Sequence, residues 1–170
     1  HTFEQQEALK RIVPSIEKGI HRTFLLHGVT GSGKTEVYMQ AIRRTLLMGR
    51  NAIVLVPEIS LTLQMIERFK GRFGEDALAV LHSKLSLGER YDEWMRIKRG
   101  NVRIVIGARS SLFAPLKDIG IIIIDEEHES SYKSDHTPKY DTIDTANKRA
   151  DINNAVLILG SATPTVISYY

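Results

Sequence analysis

The sequence predicts an α/β fold of three layers, in which helices cover both faces of a mostly parallel central sheet. Helical and strand-like patterns alternate along the 170 residues, as they do in chains of β-α-β units. The strand-like runs are continuously apolar, for example NAIVLVP at 51–57, which indicates strands buried on both faces. Hydrophobic residues make up 42% of the chain and charged residues 25%, the composition of an ordinary globular domain.

The spacing of apolar residues predicts each element in order. A stripe of Ala8, Leu9, Ile12 and Ile16 indicates the first helix. The second helix carries an apolar face of Val37, Tyr38, Ala41, Ile42 and Leu46. We predict helices at 4–18, 34–48, 61–73, 86–100 and near 142–150. We predict strands at the short apolar runs 23–27, 51–57, 77–82, 102–107, 119–125 and 155–161.

Polar motifs follow directly on five of the predicted strands. They are GVTGSGKT (28–35), PEIS (57–60), GARSS (107–111), DEEH (125–128) and GSATP (160–164). In parallel α/β sheets, ligands bind beyond the carboxyl ends of the strands. We therefore expect the motifs to gather at one edge of the sheet and to form a binding site there.

Composition and charge exclude several classes of protein. The chain has no cysteine, which excludes disulfides and thiolate metal sites and favours a cytoplasmic protein. The longest apolar run, IGIIII at 119–124, is too short to cross a bilayer, so we expect no membrane partner. The net charge of +3 is compatible with a polyanionic partner. Because the chain begins with His1 instead of Met, we expect it to be a piece of a longer protein.

The motif GVTGSGKT has the G-x-x-x-x-G-K-[ST] spacing of a phosphate-binding loop between a strand and a helix. Phosphate oxygens need several backbone N–H donors aimed at one point, and side chains would block that approach. Lys34 is expected to reach the β- and γ-phosphates of ATP, and the Thr35 hydroxyl to bind Mg²⁺. The loop residues expected to contact the nucleotide are Gly28, Thr30, Gly31, Ser32 and Gly33. The structural alternative is a glycine-rich turn with a chance lysine.

The motif DEEH ends the apolar run before it. Asp125 is expected to bind Mg²⁺ through water, as in a Walker B motif, and Glu126 to polarise the attacking water. We expect neighbouring parallel strands to bring this acidic pair beside the phosphate loop. An acidic helix cap or a solvated charge cluster is the alternative. His128 either couples the nucleotide site to a neighbouring element or is a hydrogen-bonded, partly buried histidine.

Two further segments are candidates for the same site. In GSATP, Ser161 and Thr163 offer small hydroxyls that could bond the DEEH residues across adjacent strand ends, although an ordinary turn before proline also explains them. Near the amino terminus, Gln5 carries an amide that both donates and accepts, and such a group can distinguish adenine from guanine. The start of a surface helix explains Gln5 equally well.

The motifs GVTGSGKT, DEEH and GSATP resemble motifs I, II and III of superfamily 2 helicases. Further segments resemble the PriA family of replication-restart helicases, and the likeness covers essentially the whole chain. These segments are GVTGSGKTEVY (28–38), VPEISLT (56–62), LHS (81–83), IGARSSLFAP (106–115), IDEEHESSYK (124–133), PKY (138–140) and LGSATP (159–164). The resemblance implies a RecA-like P-loop NTPase domain from a 3′→5′ DNA helicase. Such helicases use ATP and Mg²⁺, bind single-stranded and branched DNA at stalled forks, and act with primosome proteins.

The resemblance also implies roles for individual residues. Gln5 would belong to an adenine-binding Q motif, and Ser130 to Tyr140 would form an aromatic-rich loop that links DNA contact to hydrolysis. The residues that would contact DNA in this family are Pro57, Thr62, Arg109, Tyr132, Lys133 and Tyr140, with Glu58 and Gly107 in the same motifs. An exposed loop with two tyrosines is the alternative for the aromatic-rich segment.

The sequence departs from the family pattern after PKY and at its end. Where a histidine and an Ala-Arg-Asp run are expected, the chain has Asp141, Thr142, Ile143 and Asp144. The resemblance further implies that residues 1–170 are the first helicase lobe, without the second RecA-like lobe, its arginine finger and the DNA-binding domains. We therefore expect the isolated lobe to be nearly inactive. Three alternatives remain. The chain could belong to another superfamily 2 translocase, either RecG-like or a restriction-subunit motor. It could also be a nucleotide-dependent binding module without motor activity, or a plain α/β scaffold.

Overall fold

The computed structural model describes residues 2–27, 32–126 and 138–161, with Ser32, Glu126 and residues 138–140 described only by their place in a helix or strand. In these ranges the helices are α1 (Phe3–Lys18), α2 (Ser32–Leu47), α3 (Leu63–Phe73), α4 (Leu87–Lys98) and α5 (Pro138–Ile152). The strands are β1 (Thr23–Leu26), β2 (Asn51–Leu55), β3 (Leu78–Leu81), β4 (Ile104–Gly107), β5 (Ile119–Glu126) and β6 (Val156–Ser161). Short 3₁₀ turns lie at Glu58–Ser60, Glu75–Ala77 and Arg109–Phe113.

The six strands form one sheet in the order β1-β6-β5-β2-β4-β3. All the pairings described between them are parallel, which confirms the predicted parallel sheet. One expectation about this order is wrong: β1 and β5, which carry the phosphate loop and the acidic pair, are not neighbours. Strand β6 lies between them, so the carboxyl end of β6 lies between those of β1 and β5.

Helices cover both faces of the sheet, as the continuously apolar strands predict. Adjacent residues of β2 show the alternation, since Val54 packs into one buried cluster and Ile53 into the other. The first cluster includes Ile12 of α1, Ile42 of α2 and Phe69 of α3. The second includes Ile97 of α4 and Ala146 of α5. Both faces of the sheet are therefore buried, which explains why the strands contain so few polar residues.

Capping residues set where two helices begin. Thr62 accepts a hydrogen bond from the Met65 amide at 3.1 Å, so α3 begins at Leu63, two residues after the predicted start. Ser86 forms a capping box with Glu89, so α4 begins at Leu87. Within the part of the chain that the structure describes, no helix is both long and apolar enough to cross a membrane.

Arg149 of α5 ties this helix to the 3₁₀ turn that follows β4. Its guanidinium donates to the carbonyl oxygens of Leu112, Ala114 (2.9 Å) and Leu116 (3.2 Å). Burial lowers the pKa of Arg149, because desolvation disfavours the charged form. One side chain thus satisfies the carbonyl groups of a segment that is not part of a regular helix or strand.

We expect Arg149→Met to lower the free energy of unfolding by roughly 2–4 kcal/mol, because buried carbonyl oxygens would lose their donors. Urea denaturation followed by circular dichroism would measure this loss. Lys148→Met is the matched control, since the neighbouring Lys148 is exposed and its replacement should leave the midpoint nearly unchanged. Equal midpoints for the two variants would show that Arg149 does not hold the turn.

Candidate functional site

Lys34 and Asp125 form a buried ion pair at the carboxyl edge of the sheet. Lys34 Nζ lies 3.4 Å from Asp125 Oδ1, and the two side chains are only 1% and 9% exposed. Lys34 belongs to the first turn of α2, and Asp125 is the last but one residue of β5. The predicted proximity of these two residues is confirmed, although β1, the strand that precedes α2, is not adjacent to β5.

Tyr38 is a third member of this cluster. Its hydroxyl donates a hydrogen bond of 2.8 Å to the same oxygen, Asp125 Oδ1. Lys34 and Tyr38 lie four residues apart on α2, so both project from one face of the helix. The Tyr38 side chain is only 1% exposed. Two donors from one helix thus converge on a single carboxylate oxygen of the neighbouring sheet.

Gly160 provides the space in which this cluster forms. It lies on β6 directly beside Asp125, since the two residues are register partners. A Cβ atom at this position would lie 1.7 Å from the Tyr38 hydroxyl oxygen and 3.1 Å from Asp125 Oδ1. No side chain fits there, so glycine is required at this position if the Tyr38 hydroxyl is to bond Asp125.

The donor set is suited to a phosphate–metal ligand. A lysine ammonium can bind phosphate, and carboxylate and hydroxyl oxygens are the ligands that Mg²⁺ prefers. Thr35 follows Lys34 in α2 and is partly exposed. In residues 2–27, 32–126 and 138–161 there is no cluster of three or more His, Cys, Asp or Glu that could hold a metal. Magnesium needs no such cluster when substrate phosphates supply most of its ligands, so Thr35 and Asp125 fit this ion.

Glu36, next to Thr35, is engaged away from this cluster. Its carboxylate accepts a hydrogen bond of 2.8 Å from Arg72 of α3. This hydrogen bond is the main cause that lowers the pKa of Glu36; burial opposes it, and Gln40 and the charges of Arg72 and Arg68 lower the pKa further. Glu36 therefore stays ionised and joins α2 to α3. The carboxylate that pairs with Lys34 in the site is that of Asp125 on β5.

Gln5 connects α1 to the first turn of α2. Its side-chain oxygen accepts from the Thr2 amide at 2.9 Å, and its backbone amide donates to the Thr2 hydroxyl at 3.1 Å. The side-chain nitrogen donates to the Gly33 carbonyl at 3.3 Å. Gln5 is 8% exposed, so the amide expected to contact adenine is mostly buried between the helix cap and the phosphate-loop segment. Its role in base recognition stays a prediction.

The remaining predicted nucleotide-site residues are only partly covered by the structure. Glu126 ends β5 beside Ser161, which ends β6 and is 9% exposed, so the two strand ends are adjacent as expected. Ser32 begins α2, and Gly33 follows it. The predicted residues that lie outside the described ranges are Gly28, Thr30, Gly31, His128, Tyr132, Lys133 and Thr163.

The residues predicted to contact DNA lie on segments that follow β2 and β4. Pro57 is buried before the turn Glu58–Ser60, and the Thr62 hydroxyl caps α3. Arg109 begins the 3₁₀ turn after β4 and lines a shallow cavity with Asp141 and Thr142 of α5. Tyr140 lies in the first turn of α5. The segments after β2 and β4 lie side by side, because these strands pair in register up to Leu55 and Gly107.

Sequence reasoning missed the roles of Tyr38 and Gly160. The spacing of apolar residues places Tyr38 on the buried face of α2, which is correct for its ring but does not account for its hydroxyl. The signal that could have identified it is its position four residues after Lys34 on the same helix. Gly160 precedes the hydroxyl residues of GSATP, and its importance depends on the register between β5 and β6, which a single sequence does not reveal.

A family model described as "Type III restriction enzyme, res subunit" matches residues 2–166. The chain belongs to this family. The region matched by this family, ResIII, extends from the cap of α1 past the end of β6. It therefore includes Gln5, Lys34, Tyr38, Asp125 and Gly160.

Relatives with high sequence identity to this chain carry the name of replication restart proteins. The chain is 57% identical over 168 residues to "Replication restart protein PriA" of Bacillus subtilis (strain 168), which covers 99% of the chain and 21% of that protein. It is 48% identical over 167 residues to the protein of the same name from Chlamydia trachomatis serovar D, which covers 98% of the chain and 22% of that protein. The expected resemblance to PriA proteins is confirmed, and the chain spans about one fifth of their length.

A solved structure shows the same fold for this ResIII chain. "Structure of RecG bound to three-way DNA junction" superposes with a TM-score of 0.72 at 24% identity, covering 96% of the chain and 21% of that protein. At this level of identity the likeness concerns the fold. It confirms the predicted α/β fold, a parallel sheet with helices on both faces.

Proposed function

We propose that the chain is the first RecA-like, ATP-binding lobe of a PriA-like 3′→5′ DNA helicase that acts in replication restart at stalled forks. The observation that carries this proposal is the buried contact between Lys34 and Asp125, 3.4 Å apart at the carboxyl edge of the sheet. A lysine and an aspartate that lie together here can serve one triphosphate and its metal ion.

The ion pair explains how the site changes between its empty and loaded states. Lys34 is 1% exposed, and a buried ammonium needs a partner of opposite charge. Asp125 supplies that partner without nucleotide, and the β- and γ-phosphates replace it when ATP binds. Thr35 and Asp125 would hold Mg²⁺, which neutralises charge on the triphosphate when it is bound. Glu126 orients the attacking water.

The remaining nucleotide contacts follow from the loop and from α1. The glycine-rich segment 28–33 would offer backbone N–H groups to the phosphates, and the amino terminus of α2 would add the positive end of its dipole. Gln5 contacts adenine or, through its bond to Gly33, adjusts the loop that holds the phosphates. His128, Ser161 and Thr163 couple this site to the DNA-binding segments.

Single-stranded and branched DNA are the proposed polyanionic partners. The segments after β2 and β4 present Thr62 and Arg109 at the same edge of the sheet as the nucleotide site, and the chain carries a net charge of +3. Tyr132, Lys133 and Tyr140 would add stacking and phosphate contacts, with Pro57 shaping the turn before α3. The name shared by the relatives, replication restart protein, supports action at forks with primosome proteins.

The whole protein would contain more than this lobe. We propose that residues 1–170 form helicase domain 1 of a longer, cytoplasmic chain, because the relatives are about five times as long. A second RecA-like lobe would supply the arginine finger, a contribution typically worth about 10³–10⁵ in rate. DNA-binding domains of the same chain would select the forked substrate.

We expect the intact parent protein to hydrolyse ATP faster when forked DNA is added, whereas the isolated 170-residue chain should be at least about 10³-fold slower under the same conditions. A coupled ATPase assay with forked, single-stranded and blunt duplex DNA would measure both. An intact protein without DNA-stimulated turnover would contradict the motor function. DNA-stimulated turnover of the isolated chain at the rate of the intact protein would contradict its assignment as one lobe of a two-lobe motor.

A further inference from the structure

We propose that Tyr38 is a positioning residue for Asp125 and that Gly160 is the residue that makes this contact possible. Tyr38 keeps the Asp125 carboxylate in one orientation, so that it is ready for the metal-bound nucleotide when Lys34 moves to the phosphates. The inference rests on the proposed ATP site and extends it to two residues outside the motif positions that the resemblance assigns to metal or phosphate.

Two donors share one acceptor, Asp125 Oδ1, at different distances. The Tyr38 hydroxyl lies 2.8 Å from Asp125 Oδ1, while Lys34 Nζ lies 3.4 Å from the same atom. The tyrosine contact has the length of a strong O–H···O bond, and the lysine contact is long for a hydrogen bond. Lys34 can therefore leave Asp125 at moderate cost, whereas Tyr38 continues to hold the carboxylate.

The burial of Tyr38 also supports this role. Tyr38 is among the largest fully buried side chains of the described residues, and it belongs to the same buried cluster as Ile12 of α1 and Ile158 of β6. A phenylalanine would satisfy that packing. The hydroxyl adds a polar group to an apolar environment, and such a group is costly unless it is hydrogen-bonded. Its bond to Asp125 meets this requirement and gives the hydroxyl a function that packing alone does not explain.

The absence of a side chain at Gly160 on β6 supports the same arrangement. Gly160 lies on β6 beside Asp125 of β5, and the hydroxyl end of Tyr38 occupies the space over this glycine. A Cβ on Gly160 would lie 1.7 Å from the Tyr38 hydroxyl oxygen and 3.0 Å from the ring carbon that carries it. Alanine at 160 would therefore displace the tyrosine. Gly160 belongs to the predicted GSATP motif, which gives its glycine a steric function in the site.

The test compares nucleotide affinity with and without Mg²⁺ in the intact protein. A fluorescent, non-hydrolysable ATP analogue is titrated in excess Mg²⁺ and in EDTA, and the ratio of the two dissociation constants measures the contribution of the metal. For Tyr38→Phe we expect this ratio to fall about five- to twentyfold, because the variant loses a hydrogen bond to a charged group, with less than about a twofold change in EDTA. Tyr91→Phe is the matched control, since Tyr91 on α4 is 63% exposed.

The outcomes separate this inference from the proposed function. If the unaltered protein shows no Mg²⁺-dependent gain in affinity, the proposed ATP–Mg²⁺ site itself is wrong. If the unaltered protein shows the gain and Tyr38→Phe retains it in full, the site stands and the positioning role of Tyr38 is overturned. An equal loss of affinity in Mg²⁺ and in EDTA would show that Tyr38 acts through folding alone and would also overturn it.

A second variant tests the role of Gly160 independently. Gly160→Ala should reduce the Mg²⁺-dependent gain in affinity of the unaltered protein about as much as Tyr38→Phe does. The same substitution should have a smaller effect in the Tyr38→Phe background, because the closest overlap, with the hydroxyl oxygen, is then gone. Additive effects of the two substitutions would show that Gly160 and Tyr38 act separately and would contradict the proposed arrangement.

Discussion

Replacing Lys34 by methionine should reduce the DNA-stimulated ATP hydrolysis of the intact protein by at least about 10²–10³-fold, the usual effect of removing one donor to transition-state charge. Methionine preserves most of the buried volume but carries no charge for the β- and γ-phosphates. Asp125 would keep its bond from Tyr38, so the carboxylate is not left without a donor. A steady-state ATPase assay with saturating DNA measures the loss.

The control for this variant is Lys10→Met on α1. The Lys10 side chain is 75% exposed, and its partner Glu7 lies on the same helix. Its replacement should leave the rate within a factor of about two, since exposed ion pairs contribute little. Circular dichroism would confirm that both variants are folded. Full activity of Lys34→Met would exclude Lys34 as a phosphate ligand and would refute the motor function.

Replacing Gly107 by alanine should destabilise the chain by about 2–3 kcal/mol, because overpacking of a well-filled site has this cost. A Cβ at Gly107 would lie 2.0 Å from the Ser111 hydroxyl oxygen and 2.4 Å from the Leu81 carbonyl oxygen. The serine can rotate, but the carbonyl belongs to the backbone of β3, which pairs with β4 at this residue. The strand must therefore shift, and the midpoint of urea denaturation should fall.

Gly71→Ala is the matched control for Gly107→Ala. Gly71 lies on the exposed face of α3, and a Cβ there would meet nothing within 4 Å. Because glycine lowers helix stability, we expect this variant to be about 0.5–1 kcal/mol more stable. The two substitutions add the same methyl group with opposite expected signs. A stable Gly107→Ala protein would show that the end of β4 is less tightly packed than the structure indicates.

The elements of the fold could be predicted from the sequence, because a sheet covered by helices on both faces has continuously apolar strands. The predicted strands 51–57 and 119–125 contain few polar residues that would suit the exposed surface of a helix. In the segments between strands, apolar residues recur every three or four positions, which is helical spacing. Element boundaries differed where local capping decided them, as at Thr62 and Ser86. The early start of α5 at Pro138 fits the preference of proline for the first turn of a helix.

Strand order and register could not be predicted from the residues alone. The position of β6 between β1 and β5 depends on long-range pairing, and the spacing along the chain carries no information about it. The environment of Asp125 therefore had to come from the structure: Tyr38 above it and Gly160 beside it. The proximity of Lys34 to Asp125 could be predicted, because motifs at the carboxyl ends of parallel strands share one edge of the sheet.

The most direct measurement is a crystal structure of the intact protein with a non-hydrolysable ATP analogue and Mn²⁺ in place of Mg²⁺. We predict that the anomalous signal of Mn²⁺ lies beside Thr35 and Asp125, and that Lys34 Nζ has left its position 3.4 Å from Asp125 Oδ1 to contact the β- and γ-phosphates. A structure in which the nucleotide binds elsewhere while Lys34 remains paired with Asp125 would contradict the account.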